Sequence, residues 1–317
     1  MFDWKQSLKK GLRNGLVTTW DLGKIIFPIT LLVTVLEHTP VIDWLVDLIA
    51  PVMSIFGLPG EAAIPLVLGN LLNLYAGIGA ILSLEFTVKE VFIIAVMLSF
   101  SHNLLIESGV VMKSGVRVWI VLAVRIGLAT IAAMLIHLLW NGGGEIARYG
   151  WIATETAVPD GWHAIILDGL MKATNGVIQL AIIVIPLMIG IQIIKDLHWL
   201  EPLSKWLAPL TRILGMKENT SLALLSGLVF GLAFGSGVLL QSIKEDGVSR
   251  KDATIVFIFL VACHAVVEDT LIFVPLGISV LPLLIIRIIT AFILTMIIGN
   301  IWNHFDRTRR KELIYEG

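Results

Sequence analysis

Several windows of this chain run for about 15 to 22 residues with almost no charge, and no other feature restricts the fold as strongly. They are Leu22 to Leu36, Val91 to Leu105, Val118 to Leu139, Gly176 to Ile194, Ala253 to Val267 and Leu283 to Ile301. With 57% hydrophobic and 15% charged residues and a mean hydropathy of +0.90, the 317 residues carry more apolar surface than a soluble core of that size hides. A bilayer is the expected solvent. Lipid offers no partner to open backbone groups, so the spans are expected to be helices and the fold all-α.

The remaining composition mostly excludes. One cysteine, Cys263, allows no intramolecular disulfide and no thiol cage. A net charge of -1 points to no nucleic-acid partner. No phosphate loop, HExxH or GxSxG appears, so neither an enzyme nor a cofactor or resident metal is expected. The first apolar run comes late and no A-x-A-like site follows it, so no cleaved signal is expected. Residues 1–20 place Trp4, Leu8, Leu12 and Leu16 on one stripe and Lys5, Lys9 and Arg13 on its neighbour. That pattern predicts a basic amphipathic helix on the cytoplasmic membrane surface.

Sliding the sequence against itself reveals a repeat. A shift of 158 carries Pro28 to Pro186, Ala50-Pro51 to Ala208-Pro209, Gly57 to Gly215, Gly69 to Gly227, Gly77 to Gly235 and Gly79 to Gly237. Past an insertion near Lys244 to Lys251 the shift becomes 162, and it carries His102 to His264, Arg125 to Arg287 and Trp140-Asn141 to Trp302-Asn303. The matches fall on Pro, Gly, His, Arg and Trp rather than on abundant Leu and Ile, as an internal duplication requires.

Basic residues give the orientation. Lys5, Lys9, Lys10, Arg13 and Lys24 lie near the start and Arg307, Arg309, Arg310 and Lys311 near the end, so both termini are expected to be cytoplasmic in the plasma membrane. The central linker offers only Arg148 against Glu145, Glu155 and Asp160, so it is expected outside. Each copy then crosses an odd number of times and the second is inverted. The loops agree: Glu37 to Glu61 has no Lys or Arg, while its counterpart has Lys195, Lys205, Arg212 and Lys217.

The expected plan is 1–20 as the amphipathic helix, 21–141 and 166–303 as the two inverted repeats, 142–165 as the extracytoplasmic linker and 304–317 as a basic tail. Each repeat is expected to hold three transmembrane helices, one interfacial helix (41–56 and 199–213) and one re-entrant helical hairpin (61–83 and 219–243). A five-crossing alternative would place Arg212 and Lys217 outside.

Charged and polar groups at membrane depth need a reason. His102, Asn103 and Glu107 stand in HNLLIE, and His264, Glu268 and Asp269 in HAVVED, at positions that inversion would bring face to face. His264 and Glu268, four apart, would share a helix face, whereas His102 and Glu107, five apart, converge only if the helix is broken. With Asn70, Asn73 and Ser236 at the glycine-rich hairpins, these are the candidate solute- and ion-binding residues. Arg125 and Arg287 are expected as structural ion-pair partners of the acids. Tyr75 is expected to be a packing or interfacial residue.

The twin repeats, the Ala50 to Gly57 and Ala208 to Gly215 runs, Gly69-Asn70 and the HNLLIE and HAVVED motifs resemble one known family, the membrane proteins with a nucleoside recognition, or Gate, domain. The resemblance spans roughly residues 20 to 303. That domain is shared with concentrative nucleoside transporters, the membrane part of ferrous-iron transporter B and spore-maturation membrane proteins, so the resemblance implies a transport-type scaffold. This chain lacks a GTPase segment and is shorter than the nucleoside carriers.

The expected function is secondary, proton- or sodium-coupled transport of a small polar solute, a nucleoside or small anion, by alternating access. A divalent metal permease and a non-transporting scaffold are the alternatives. The expected partners are the solute, a coupling ion and the lipid bilayer, and inverted-repeat carriers often form homo-oligomers. Single cysteines introduced into the 142–165 linker should react with impermeant maleimide added to intact cells; labelling only after lysis would reverse the topology.

Overall fold

The computed structural model describes residues 3–150 and 161–315, and among them every regular element is a helix apart from one isolated bridge between Thr87 and Ile146. In chain order these are α1 (Trp4–Glu37), α2 (Pro40–Met53), α3 (Ala63–Leu71), α4 (Leu74–Ile81), α5 (Val88–Ser101), α6 (Leu104–Lys113) and α7 (Val118–Leu139). They are followed by α8 (Trp162–Asp196), α9 (Leu200–Ile213), α10 (Ser221–Phe234), α11 (Ser236–Glu245), α12 (Arg250–Ala262), α13 (Glu268–Leu271) and α14 (Val280–Tyr315). Five helical stretches are long and apolar enough to cross a membrane: α1, the α5–α6 stretch, α7, α8 and residues Val280–Phe305 of α14. A sixth follows if the pair Val46–Phe56 and Gly60–Leu71, bent by 88°, counts as one span. The register counterpart of α5–α6 is interrupted, because α12 stops at Ala262 and helix resumes only at Glu268.

The compact units are not the two contiguous halves. One unit holds Met1–Leu105, Ile126–Asp196 and Val267–Leu283. The other holds Ile106–Arg125, Leu197–Val266 and Leu284–Gly317. Each copy thus gives up the short segment after its histidine motif to the unit built mainly from the other.

In the first unit α1 and α8 pack antiparallel. A Cβ built on Gly11 would lie 2.7 Å from the Ile189 Cα, and one on Gly15 2.9 Å from the Ile185 Cα. Farther along, Gly23 faces Val177 and Gly169 faces Leu31, the descending order that an antiparallel pair demands. Small residues let the backbones approach this closely where water drives no association. Both helices carry their proline inside, Pro28 and Pro186, at matching positions of the repeat. Residues 4–20 are therefore no separate surface helix: α1 is unbroken to Glu37, and Ser7 and Asn14 bond Asp196 and Gln192 of α8. At 1.5 Å per residue, the 34 residues of α1 extend roughly 51 Å, beyond a hydrocarbon core of about 30 Å. The expected surface helix is its continuation past the apolar layer.

The hairpins are explicit in both units. A Cβ on Gly77 of α4 would lie 2.9 Å from the Pro65 carbonyl oxygen of α3, so the second arm folds back on the first. In the other unit Asn219, before α10, donates to the Asp246 carbonyl after α11 at 2.8 Å, which closes the hairpin at its base. The chain turns at Asn73 in one hairpin and at its counterpart Gly231 in the other, where φ is 75° and a side chain would be strained.

Capping fixes where the central helices begin. Thr87 and Glu90 form a capping box at α5, and at α12 Ser249 Oγ accepts from the Asp252 backbone N–H at 3.1 Å while donating to its carboxylate. Val91 to Ser101 and Asp252 to Ala262 are buried throughout, so both helices are walled by protein. Gly15→Leu should lower the unfolding midpoint in detergent by the equivalent of about 2 kcal/mol of overpacking. Gly190→Leu, with nothing within 4 Å of its Cβ, should leave it unchanged.

Candidate functional site

Both histidine motifs break a buried helix in the same way. α5 ends at Ser101, His102 takes ψ 162° and Asn103 sits at φ 55°, a left-handed conformation that Asn tolerates. α12 ends at Ala262, and Ala265 occupies φ 41°, which costs an alanine more. Backbone hydrogen bonds to the neighbouring hairpin hold each break open: Asn103 N–H to the Gly69 carbonyl at 2.9 Å, and Ala265 and Val266 N–H to the Gly227 and Leu228 carbonyls at 3.1 and 2.9 Å. Close approach needs the glycines, since a Cβ on Gly69 or Gly227 would lie 2.4 Å from Leu98 or Leu260. The helix is broken at His102, yet the break does not pair His102 with Glu107: the first lies with one unit and the second with the other. The break after Ala262 removes the shared helix face expected of His264 and Glu268.

In the first unit, His102 is buried and its Nδ1 lies 2.6 Å from the Leu98 carbonyl. A carbonyl only accepts, so Nδ1 carries the proton and Nε2 is the acceptor nitrogen. That nitrogen looks at Asp269 Oδ2, 3.9 Å away. Asp269 and Glu268 are both buried on α13. Glu268 accepts a hydrogen bond from the Tyr75 hydroxyl of α4, so the second hairpin arm is tied to this short helix. Asn73 caps α4 by accepting from the Ala76 N–H at 2.9 Å. Asn70 donates to the Leu66 carbonyl at 2.7 Å, and the Oδ1 atoms of Asn70 and Asn103 are shielded from solvent without a hydrogen-bond partner.

The second unit repeats the theme with more charge. His264 Nδ1 lies 2.7 Å from the Leu260 carbonyl, and its Nε2 faces Glu107 Oε1 at 3.3 Å. The other Glu107 oxygen takes an ion pair from Arg125, and both residues are 1% exposed. Arg287, fully buried, donates to the His264 carbonyl at 2.6 Å, an acceptor that the helix break released. Ser236 lies at the start of α11 and donates to the Ala233 carbonyl at 2.9 Å, a local helix-end contact.

Each histidine thus faces a carboxylate supplied by the opposite sequence copy: His102 faces Asp269, and His264 faces Glu107. His102 and Asp269 share the first unit with Asn70, Asn73, Asn103 and Glu268, whereas Glu107 and Ser236 belong with His264 in the second. Tyr75, expected as a packing or interfacial residue, instead bonds Glu268, a partner that sequence reasoning missed. A phenol in a glycine-rich apolar segment has no spacing that announces a partner far along the chain.

Apolar spans and charged clusters walled by helices define a multi-span helical membrane protein. The nucleoside recognition (Gate) family model matches twice, at residues 19–117 and 177–279, so the chain belongs to the Gate family. The two matches start 158 residues apart (177 − 19) and end 162 apart (279 − 117), which are the two shifts of the internal register. The chain is also 61% identical over 298 residues to "Uncharacterized membrane protein YvoD" of Bacillus subtilis (strain 168), covering 94% of this chain and 96% of that protein. No solved structure matches it.

Arg125→Leu should destabilise the protein by about 3 kcal/mol or more, because it leaves the Glu107 carboxylate buried without its counter-charge. Adding Glu107→Gln should recover part of that loss. Thermal midpoints of the two single variants and the double variant in one detergent measure the coupling.

Proposed function

We propose that the protein is a secondary transporter of a small polar solute, a nucleoside or small anion, driven by protons or sodium and working by alternating access between two inverted copies. The observation that carries this reading is the pairing of histidine Nε2 with a carboxylate oxygen. With Nδ1 donating to a backbone carbonyl, the opposed nitrogen and carboxylate are both acceptors. Two acceptors face each other stably only with a proton or another cation between them or on one of them. A group that holds a cation in one state and yields it in another is what ion coupling requires. The unpartnered Asn70 and Asn103 oxygens beside a hairpin turn add acceptors for a solute donor or a coupling ion.

Inversion has its own support. α1 and α8, matched by the register, run antiparallel. In the first unit the ends of the hairpin meet acid-rich loops, with Gly57 against His137 and Thr87 bridged to Ile146. In the second, Arg212 pairs with Glu218, Asn219 with Asp246 and Lys251 with Asn303, all in the basic loops. Each hairpin therefore enters and leaves at one end of its unit. That suits a re-entrant hairpin, three crossings per copy with α12–α13 as a broken sixth, and a plasma-membrane protein with both termini cytoplasmic.

A divalent metal permease is the second reading, favoured by the His–carboxylate separations of 3.9 and 3.3 Å. Two ligands about 2.1 Å from one ion sit no more than about 4.2 Å apart. Thermal-shift panels of nucleosides, small anions and divalent metals would select the solute for flux assays in proteoliposomes. Glu107→Gln or Asp269→Asn should then abolish accumulation while the protein remains folded. Unchanged uptake in both would remove them from the mechanism, metal retention lost in His264→Ala would favour the permease, and no flux of any solute would favour a scaffold.

A further inference from the structure

The strongest feature outside the His–carboxylate pairs is a small cleft of about 50 Å³ in the first unit, between α8, the end of the α3–α4 hairpin and the loop at Tyr149. Asp168, Lys172, Asn175 and Gln179 line it. Their spacing of four, three and four puts an acid, a base and two carboxamides along one stripe of a helix otherwise composed for lipid. Polar stripes on spanning helices face protein or water rather than hydrocarbon, and this one faces Leu82 and Tyr149.

The stripe is chemically specific. Lys172 Nζ lies 3.0 Å from Asp168 Oδ2, with the side chains 25% and 18% exposed, so both charges can be reached from the cleft. Lys172 also reaches the Ser83 carbonyl, at 3.5 Å. Gln179 Oε1 is shielded from solvent and has no hydrogen-bond partner. Glycine keeps that end clear, since a Cβ on Gly150 would lie 2.5 Å from Gln179 Nε2. An intrahelical pair of this kind holds its partners weakly, because both charges keep part of their hydration.

We propose that this cleft binds a small zwitterion of amino-acid type, its ammonium on Asp168 and its carboxylate on Lys172, with the Gln179 carboxamide oxygen taking an N–H. A ligand carrying both charges replaces one weak internal pair with two external ones, and leaves no charge in the cleft uncompensated. A ligand carrying one charge replaces the internal pair with only a single external one. The site is separate from the His–carboxylate pairs and does not depend on the transport reading.

Calorimetric titration of the purified full chain in detergent tests it, with glycine as the probe and methylammonium and acetate as its two halves. Glycine should bind saturably, and each half about tenfold more weakly or worse. Lys172→Gln and Asp168→Asn should each weaken glycine at least tenfold, Gln179→Met about threefold, and Gly190→Leu not at all. Gln179→Met leaves both charges in place and keeps the test open if a charge variant fails to fold. No saturable glycine binding, equal binding of a half-molecule, or unchanged binding in Lys172→Gln and Asp168→Asn would each overturn the proposal. Because the readout is binding, a protein that moves no solute at all leaves this result intact.

Discussion

A helix that stops inside a protein-walled membrane core leaves backbone donors and acceptors with no water to receive them, and the architecture here is organised around satisfying two such stops. At His102 and His264 the chain departs from helix, and the liberated groups go to the adjacent hairpin: Asn103 to Gly69, Ala265 to Gly227 and Val266 to Leu228. At Gly69 and Gly227 the missing side chain leaves room for the Leu98 and Leu260 side chains of the broken helices. Arg287 caps the remaining carbonyl at His264. Break and hairpin form one device, installed once in each copy, to which the second adds the arginine cap.

The ionisable groups follow from it. Each break turns a histidine so that one ring nitrogen is occupied by the helix it ends and the other is presented to a carboxylate. Because the segments after the breaks are exchanged between units, that carboxylate comes from the other copy. Neither copy could assemble its own pair. The exchange also brings Glu268 to Tyr75, a partner distant in sequence, whereas Glu107 finds Arg125 within its own exchanged segment.

Much of this was legible. The apolar windows required helices, and the glycine, proline and histidine matches fixed a register that the two Gate matches reproduce. Glu107 with Arg125 followed from the cost of an unpaired intramembrane charge. Other features were opaque. The helix spacing of His264 and Glu268 presumed a helix that is absent there, and the stripe at residues 4–20 looked like a separate element because amphipathicity alone does not say whether a helix stops.

By itself the sequence determined the solvent, the helical class, the duplication and its register, and the residue types at depth, all of which depend on local composition and on spacing along one chain. Tertiary structure alone decided that His102 meets Asp269, that His264 meets Glu107, that Tyr75 reaches Glu268, and that α1 runs on against α8. The reason is physical: periodicity encodes which face a residue occupies on a regular helix. A partner met across a helix break, or across an exchange of segments between two copies, is set by backbone geometry that no spacing records.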